Sequence, residues 1–265
     1  MENNNPIGLF DSGVGGLSIL LELQDLLPLE STIFFADQAF VPYGKKSPEA
    51  LIQRCKKIID FFVEKKCKIV VIACNTATVY VIDELRKHFT IPIIGTVPAV
   101  KTLKAVTKTG RTAVLATPGT TKSPYLSQLI NEFCSDIHVE KISGGNLEQL
   151  IEYGDLKDPK ILKEIHHVLA PYFDQKIDSL ALGCTHYPFL KKQIQDLWPG
   201  SITLVDSGKA IAKQVQAKLS QFNAFSTEKT TEKYFTSASI PSFQRAANAL
   251  MQKNITQVND FIFPE

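Results

Sequence analysis

Residues 47–78 read SPEALIQRCKKIIDFFVEKKCKIVVIACNTAT, and this stretch decides the fold. Ser47 is placed to cap a helix and Pro48 to take its first position. Leu51, Ile52, Cys55, Ile58, Ile59, Phe62 and Val63 then recur at helical spacing, which predicts an amphipathic helix over Ser47–Lys66. Beyond it the pattern changes to a short β-branched run, Ile69–Ala73, ending in small polar residues around Cys74. Helix, strand and polar exit together form the repeating unit of an α/β protein.

The same alternation extends in both directions. Further candidate strands are Ile7–Phe10, Thr32–Ala36, Ile91–Ile94, Thr112–Ala116, His138–Ile142, Leu180–Leu182 and Thr203–Val205. This predicts an α/β fold with mainly parallel sheets, in which ligands collect at the carboxyl ends of strands. Four strand exits are small and polar: FDSGVGG (10–16), ACNTA (73–77), ATPGTT (116–121) and LGCTHYP (182–188). Cys74 follows Asp11 by nearly the interval at which Cys184 follows Thr117, and KIDSLALGCT (176–185) resembles KIVVIACNT (68–76). We read this as an internal duplication giving two α/β domains, each delivering one loop cysteine. The VDSG of 205–208 echoes the FDSG of 10–13 and marks the chain's expected return. The expected division is 1–98 plus 207–265 for the first domain and 99–206 for the second, with the site in the cleft between them.

Composition narrows the function. Of 265 residues 44% are hydrophobic and 21% charged, which is globular rather than disordered or fibrous. Lys+Arg 29 against Asp+Glu 27 gives a net charge of +2 without like-charged runs, so nothing favours a nucleic-acid partner. MENNNPIGLF lacks the basic and apolar regions of a secretory leader, and the longest apolar run is broken by Asn75, Thr76 and Thr78, so no membrane segment is expected. Five scattered cysteines without a CxxC argue against a disulfide framework and for the cytoplasm.

Cys55 falls on the apolar helix stripe, Cys134 closes a helix and Cys67 sits at a helix–strand junction. Cys74 and Cys184 differ: each follows an apolar strand and precedes a polar pair, Asn75-Thr76 or Thr185-His186. Thiols at helix N-termini or beside polar donors are expected to have a lowered pKa. A buried structural cysteine is the plain alternative for either one alone. Two in matching repeats suit the removal of a proton from one face of a carbon and its return to the other. Asp11 caps a helix, binds a substrate ammonium or sets the protonation of Cys74, and His186 is placed to polarise Cys184. Pro42-Tyr43-Gly44 forms a turn able to close over a ligand.

Rival readings use the same residues. Zinc on Cys74, Cys184 and His186 lacks the close spacing of structural sites, and adjacent His166 and His167 cannot share a helix face, so no metal is expected. A Cys–His nucleophile, as in an amidohydrolase, leaves one thiol unused. Gly13-Val14-Gly15-Gly16-Leu17-Ser18 with Asp37 imitates a dinucleotide fingerprint, but Ser18 replaces the third glycine. The same glycines serve as a backbone nest for a small carboxylate. A non-catalytic amino-acid-binding module is the remaining class.

FDSGVGGL (10–17), ADQAFVPYG (36–44), ACNTAT (73–78), LATPGTTKS (115–123) and LGCTHYPFL (182–190) together resemble, in order and spacing, the motifs of the glutamate racemase family. The resemblance runs from Ile7 to about Gly208, with a less specific YFTSA strand at 234–238. It implies two α/β domains related by a pseudo-twofold axis, with glutamate bound between them. It implies cofactor-independent interconversion of L- and D-glutamate for peptidoglycan, with racemisation of another acidic amino acid such as aspartate as the nearest alternative. Cys74 and Cys184 would be the catalytic acid/bases, assisted by Asp11 and His186. Ser12, Tyr43, Gly44, Asn75, Thr76, Thr117, Thr120, Thr121 and Thr185 would contact the substrate. A homodimer is common in the family.

Overall fold

The computed structural model describes residues 3–228 and 231–263. Its strands are β1 (Ile7–Asp11), β2 (Thr32–Ala36), β3 (Ile69–Ile72), β4 (Ile93–Gly95), β5 (Arg111–Ala116), β6 (His138–Ser143), β7 (Ser179–Leu182), β8 (Thr203–Val205), β9 (Glu232–Thr236) and β10 (Val258–Asp260). They form two sheets, ordered β10-β9-β2-β1-β3-β4 and β6-β5-β7-β8. Every pairing is parallel.

The duplication read from the sequence is present in the topology. The order β2-β1-β3-β4 in the first sheet is repeated as β6-β5-β7-β8 in the second. Register follows suit: Phe10 pairs with Ile72 as Leu115 pairs with Leu182. Cys74 and Cys184 each stand two residues beyond these partners, so the two loops leave equivalent points of the two sheets.

The helix Pro48–Glu64 forms as its sequence requires. Ser47 accepts the N–H of Ala50, and Pro48 opens the first turn. Its buried face is Leu51, Cys55, Ile58, Ile59, Phe61 and Phe62; Val63, expected on that stripe, is 48% exposed and Phe61 takes its place. Both flank the stripe, and Phe61 is the one whose side chain meets other rings, Phe35 at 5.4 Å and Phe235 at 5.0 Å between centroids. A β-carbon on Gly8 would fall 2.6 Å from Phe62 Cδ1, so glycine in β1 is what lets this ring lie on the sheet. Phe61 meets Phe235 at 5.0 Å and Phe261 at 4.6 Å between ring centroids, fastening the C-terminal strands to the first sheet.

One apolar cluster runs through both halves, from Leu9 and Leu17 through Leu147 and Ile151 to Leu180. Two smaller clusters flank it, one around Phe35 and Phe62, the other around Val114 and Leu126. The carboxyl ends of β1, β3, β5 and β7 therefore converge on a common interior. Among the described residues no helix is long and apolar enough to cross a membrane.

Candidate active site

The strand exits meet in a small cavity lined by Ser12, Cys74, Asn75, Thr76, Thr117, Glu148, Gly183, Cys184, Thr185 and His186. It encloses about 10 Å³, room for roughly one water molecule. Both thiols face it. Cys74 caps the helix Asn75–His88, its Sγ accepting the N–H of Ala77 at 3.5 Å. Cys184 precedes only a short turn of 3-10 helix, Tyr187–Leu190, and has His186 as its polar neighbour instead.

Each thiol ends a chain of polar groups. Cys74 Sγ lies 3.8 Å from Ser12 Oγ, and the Ser12 N–H donates to Asp11 Oδ1 at 2.7 Å. On the other side Cys184 Sγ lies 3.7 Å from His186 Nδ1, and His186 Nε2 lies 2.7 Å from Glu152 Oε2. The chains interlock across the sheets, because Thr185 donates to Asp11 Oδ2 at 2.9 Å and the N–H of Val14 donates to Glu152.

Burial sets the electrostatics. Both thiols lie above their ordinary pKa, contrary to the lowering expected from the sequence. For Cys74, burial comes first and the Asp11 charge adds to it, outweighing the Ala77 N–H. For Cys184, burial again raises the value, but the hydrogen bond and charge of His186 oppose it. Burial disfavours a charge on His186, yet the bonds to Cys184 and Glu152 prevail and hold its pKa well above 6.5. Asp11 is raised by burial, with His186, Thr185 and Ser12 pulling it back.

The glycines of 13–16 permit this interlocking. A β-carbon at Gly13 would collide with the carboxyl of Glu152, and one at Gly15 would fall 2.5 Å from Thr185 Oγ1 and 2.6 Å from His186 Cε1. Of the N–H groups anticipated as a nest, that of Val14 bonds a carboxylate, and it is the protein's own Glu152. Asp37, the imitation ribose acid, is bound by Arg54, the Tyr43 hydroxyl at 2.8 Å and Ser237 at 2.8 Å.

Most of the expected site residues come together here. Thr120 sits behind the wall, 3.0 Å from Thr117 Oγ1 and 3.4 Å from Thr76 Oγ1. Gly44 closes the rim opposite Gly119, whose β-carbon would stand 3.7 Å from Gly44 Cα. Two others turn away: the Tyr43 hydroxyl is aimed at Asp37, and the Thr121 hydroxyl at the Pro118 carbonyl. Asn75 Oδ1 is buried without a hydrogen-bond partner among the described residues.

The sequence reading missed Glu148 and Glu152, which stand one helical turn apart on Leu147–Glu152. A signal was available, since Ser143-Gly144-Gly145-Asn146 is a fifth small polar strand exit, after β6. Among the described residues no three His, Cys, Asp or Glu side chains are grouped to hold a metal ion.

Comparison with known proteins fits this geometry. A model of the family described as Asp/Glu/Hydantoin racemase matches residues 18–215. The chain belongs to that family. Among its relatives, the glutamate racemase of Pseudomonas syringae pv. tomato is 41% identical over 237 residues, covering 89% of this chain and 86% of the relative. That of Pseudomonas aeruginosa is 43% identical over 234 residues, 88% of each. Two solved racemases share the fold throughout. A glutamate racemase isoform from Bacillus anthracis superposes with a TM-score of 0.88 at 28% identity, covering 99% of both chains. The Escherichia coli glutamate racemase, solved with L-glutamate and the activator UDP-MurNAc-ala, gives 0.87 at 30% identity, covering 97% of this chain and 98% of that one. An aspartate racemase of Picrophilus torridus, at 17% identity and a TM-score of 0.59, shares the fold alone.

Proposed function

We propose that this racemase-family chain interconverts L- and D-glutamate with two thiols and no cofactor, supplying D-glutamate for peptidoglycan. The observation that carries the reading is the pair of thiols at equivalent strand exits, lining one cavity, each with its own polar chain. One cysteine, as thiolate, removes the α-proton; the other, as thiol, delivers a proton to the opposite face of the planar carbanion. One proton is taken and one given, so the thiol and thiolate have exchanged places. Ser12 with Asp11 resets Cys74, and His186 with Glu152 resets Cys184.

Burial disfavours the thiolate at either cysteine, so substrate must help it form. The N-terminus of Asn75–His88 and the Thr76 hydroxyl offer donors to the substrate carboxylates, with Thr117 and Thr185 lining the cavity beside them, and the developing negative charge meets fixed dipoles rather than water. Thr120 supports Thr76, and Tyr43, Gly44 and Thr121 shape the rim. A cavity of about 10 Å³ cannot admit glutamate unless its walls part. The proposed division into 1–98 plus 207–265 and 99–206 gives the bodies that would do so. Three bonds across that division are Ser18 to the Thr185 carbonyl at 2.8 Å, Gln38 to Glu152 at 2.6 Å and Thr76 with Thr120 at 3.4 Å.

The test is proton NMR of metal-free protein with L-glutamate in D2O, beside a chiral assay. Loss of the α-proton signal with appearance of the D-isomer is expected. Exchange with aspartate alone would keep the chemistry and discard the substrate; tight glutamate binding without exchange would point to a binding module.

A further inference from the structure

Glu148 lines the thiol cavity, and two further carboxylates, Asp11 and Glu152, bond to residues of its lining with every oxygen engaged. Asp11 accepts the Ser12 N–H on Oδ1 and the Thr185 hydroxyl on Oδ2. Glu152 accepts the Val14 N–H on both oxygens, with Gln38 on Oε1 and His186 on Oε2. Glu148 accepts no hydrogen bond from any described residue. Among the described residues it is also the one that lines both the thiol cavity and the outer cavity of about 650 Å³ beside it, which Gln38, Pro42 and Tyr153 help to form.

A carboxylate in this position is unfavourable by itself. Burial raises its pKa, and of its charged neighbours Asp11 and Glu152 raise it further while His186 alone opposes. Its charge in turn raises both thiols. Among the described residues no lysine or arginine lines either cavity, so neither lining offers an ammonium or guanidinium to balance it. The proposed substrate carries a cation on the carbon that must sit between the thiols.

We propose that Glu148 binds the α-ammonium of the incoming amino acid, so that this residue selects an α-amino acid over a plain dicarboxylate. The inference rests on the racemase reading given above. It adds a consequence: the ammonium cancels one of the charges that, after burial, disfavour both thiolates, so the base forms more readily when substrate is present. Glu148 meets substrate on its way from the outer cavity and stays in contact at the inner one.

Glutarate, which is glutamate without its ammonium, separates this role from a structural one. Racemisation kinetics of wild type, Glu148→Gln and Glu148→Asp are measured with both enantiomers, with glutarate as competitive inhibitor. Loss of a charge-assisted hydrogen bond should raise the glutamate KM of Glu148→Gln by about tenfold or more, with a much smaller change in kcat. The glutarate inhibition constant should hold steady or fall, because a repelling charge has gone, and Glu148→Asp should lie nearer wild type. An unchanged or lower glutamate KM in Glu148→Gln would overturn the proposal, as would equal losses for glutamate and glutarate. Wild type that fails to racemise glutamate would indict the racemase reading alone. Calorimetric binding of D-glutamate and glutarate to the same proteins then decides the Glu148 question independently.

Discussion

Gly15 carries the sharpest consequence of the interlocked site. Its φ is not positive, so alanine fits the backbone, and the only obstacle is what the new methyl meets. That methyl would fall 2.6 Å from His186 Cε1, where carbon atoms need about 3.4 Å. The imidazole must retreat by close to 1 Å, and the 3.7 Å contact with Cys184 and the 2.7 Å contact with Glu152 cannot both survive. A displacement of about 1 Å at a reacting group costs about 100-fold, close to 3 kcal/mol of barrier. Gly15→Ala should therefore lower kcat by about 100-fold, with overpacking costing roughly 1–3 kcal/mol of stability. The comparison variant is Gly110→Ala, at φ +72 with nothing within 4 Å: it should lose about 1–2 kcal/mol of stability and no activity. Chiral assay of both variants beside thermal melts separates the two effects. Gly15→Ala that folds and turns over like wild type would refute the claim that His186 must hold its present place.

Cys74→Ala and Cys184→Ala should each abolish racemisation while leaving the melting temperature nearly unchanged; appreciable turnover in either would remove the two-base mechanism. Thiolate should form first at Cys184, where the His186 cation opposes burial, and later at Cys74, where the Asp11 charge reinforces it. Iodoacetamide labelling followed by peptide mass spectrometry over a rising pH series should thus mark Cys184 at lower pH, and the reverse order would show the polar chains misassigned. Lys68, buried 2.6 Å from Glu30 and 2.8 Å from the Ala224 carbonyl, balances a charge in the interior. Lys68→Met should cost about 3–5 kcal/mol in urea denaturation, and adding Glu30→Leu should recover part of it; no loss in the single variant would mean that Glu30 is otherwise satisfied.

Strands and thiols were legible because each depends on local pattern. The runs at Ile7, Thr32, Ile69 and Thr112 are short, β-branched and closed by polar exits, and the matched exits placed Cys74 and Cys184 correctly in one cavity. What failed depends on distant neighbours. β10 has three residues and no alternation, and it exists because Phe261 finds Phe35 and Phe61. The direction of the Tyr43 hydroxyl is set by Asp37, itself fixed by Arg54 and Ser237. The thiol pKa was misjudged for the same reason: a helix N-terminus and a histidine are visible in sequence, but complete burial of both cysteines is not.

The two polar chains explain why catalysis and closure should be a single event. Asp11 belongs to β1 of the first sheet, yet the hydroxyl that fixes its second oxygen comes from Thr185, beyond β7 of the second. Glu152 belongs to the second half, yet its oxygens are filled by Val14 and Gln38 from the first. Parting the halves to admit substrate would break both sets at once. Asp11 would lose a donor, and Glu152 would be free to swing away from His186. Under the proposed mechanism an open site would lack the arranged acids and bases that abstract a proton, and the same movement that excludes water would restore them. Such coupling would protect the electron-rich carbanion of the proposed reaction, because no thiol would be fully supported until the solvent that could quench the wrong face had left.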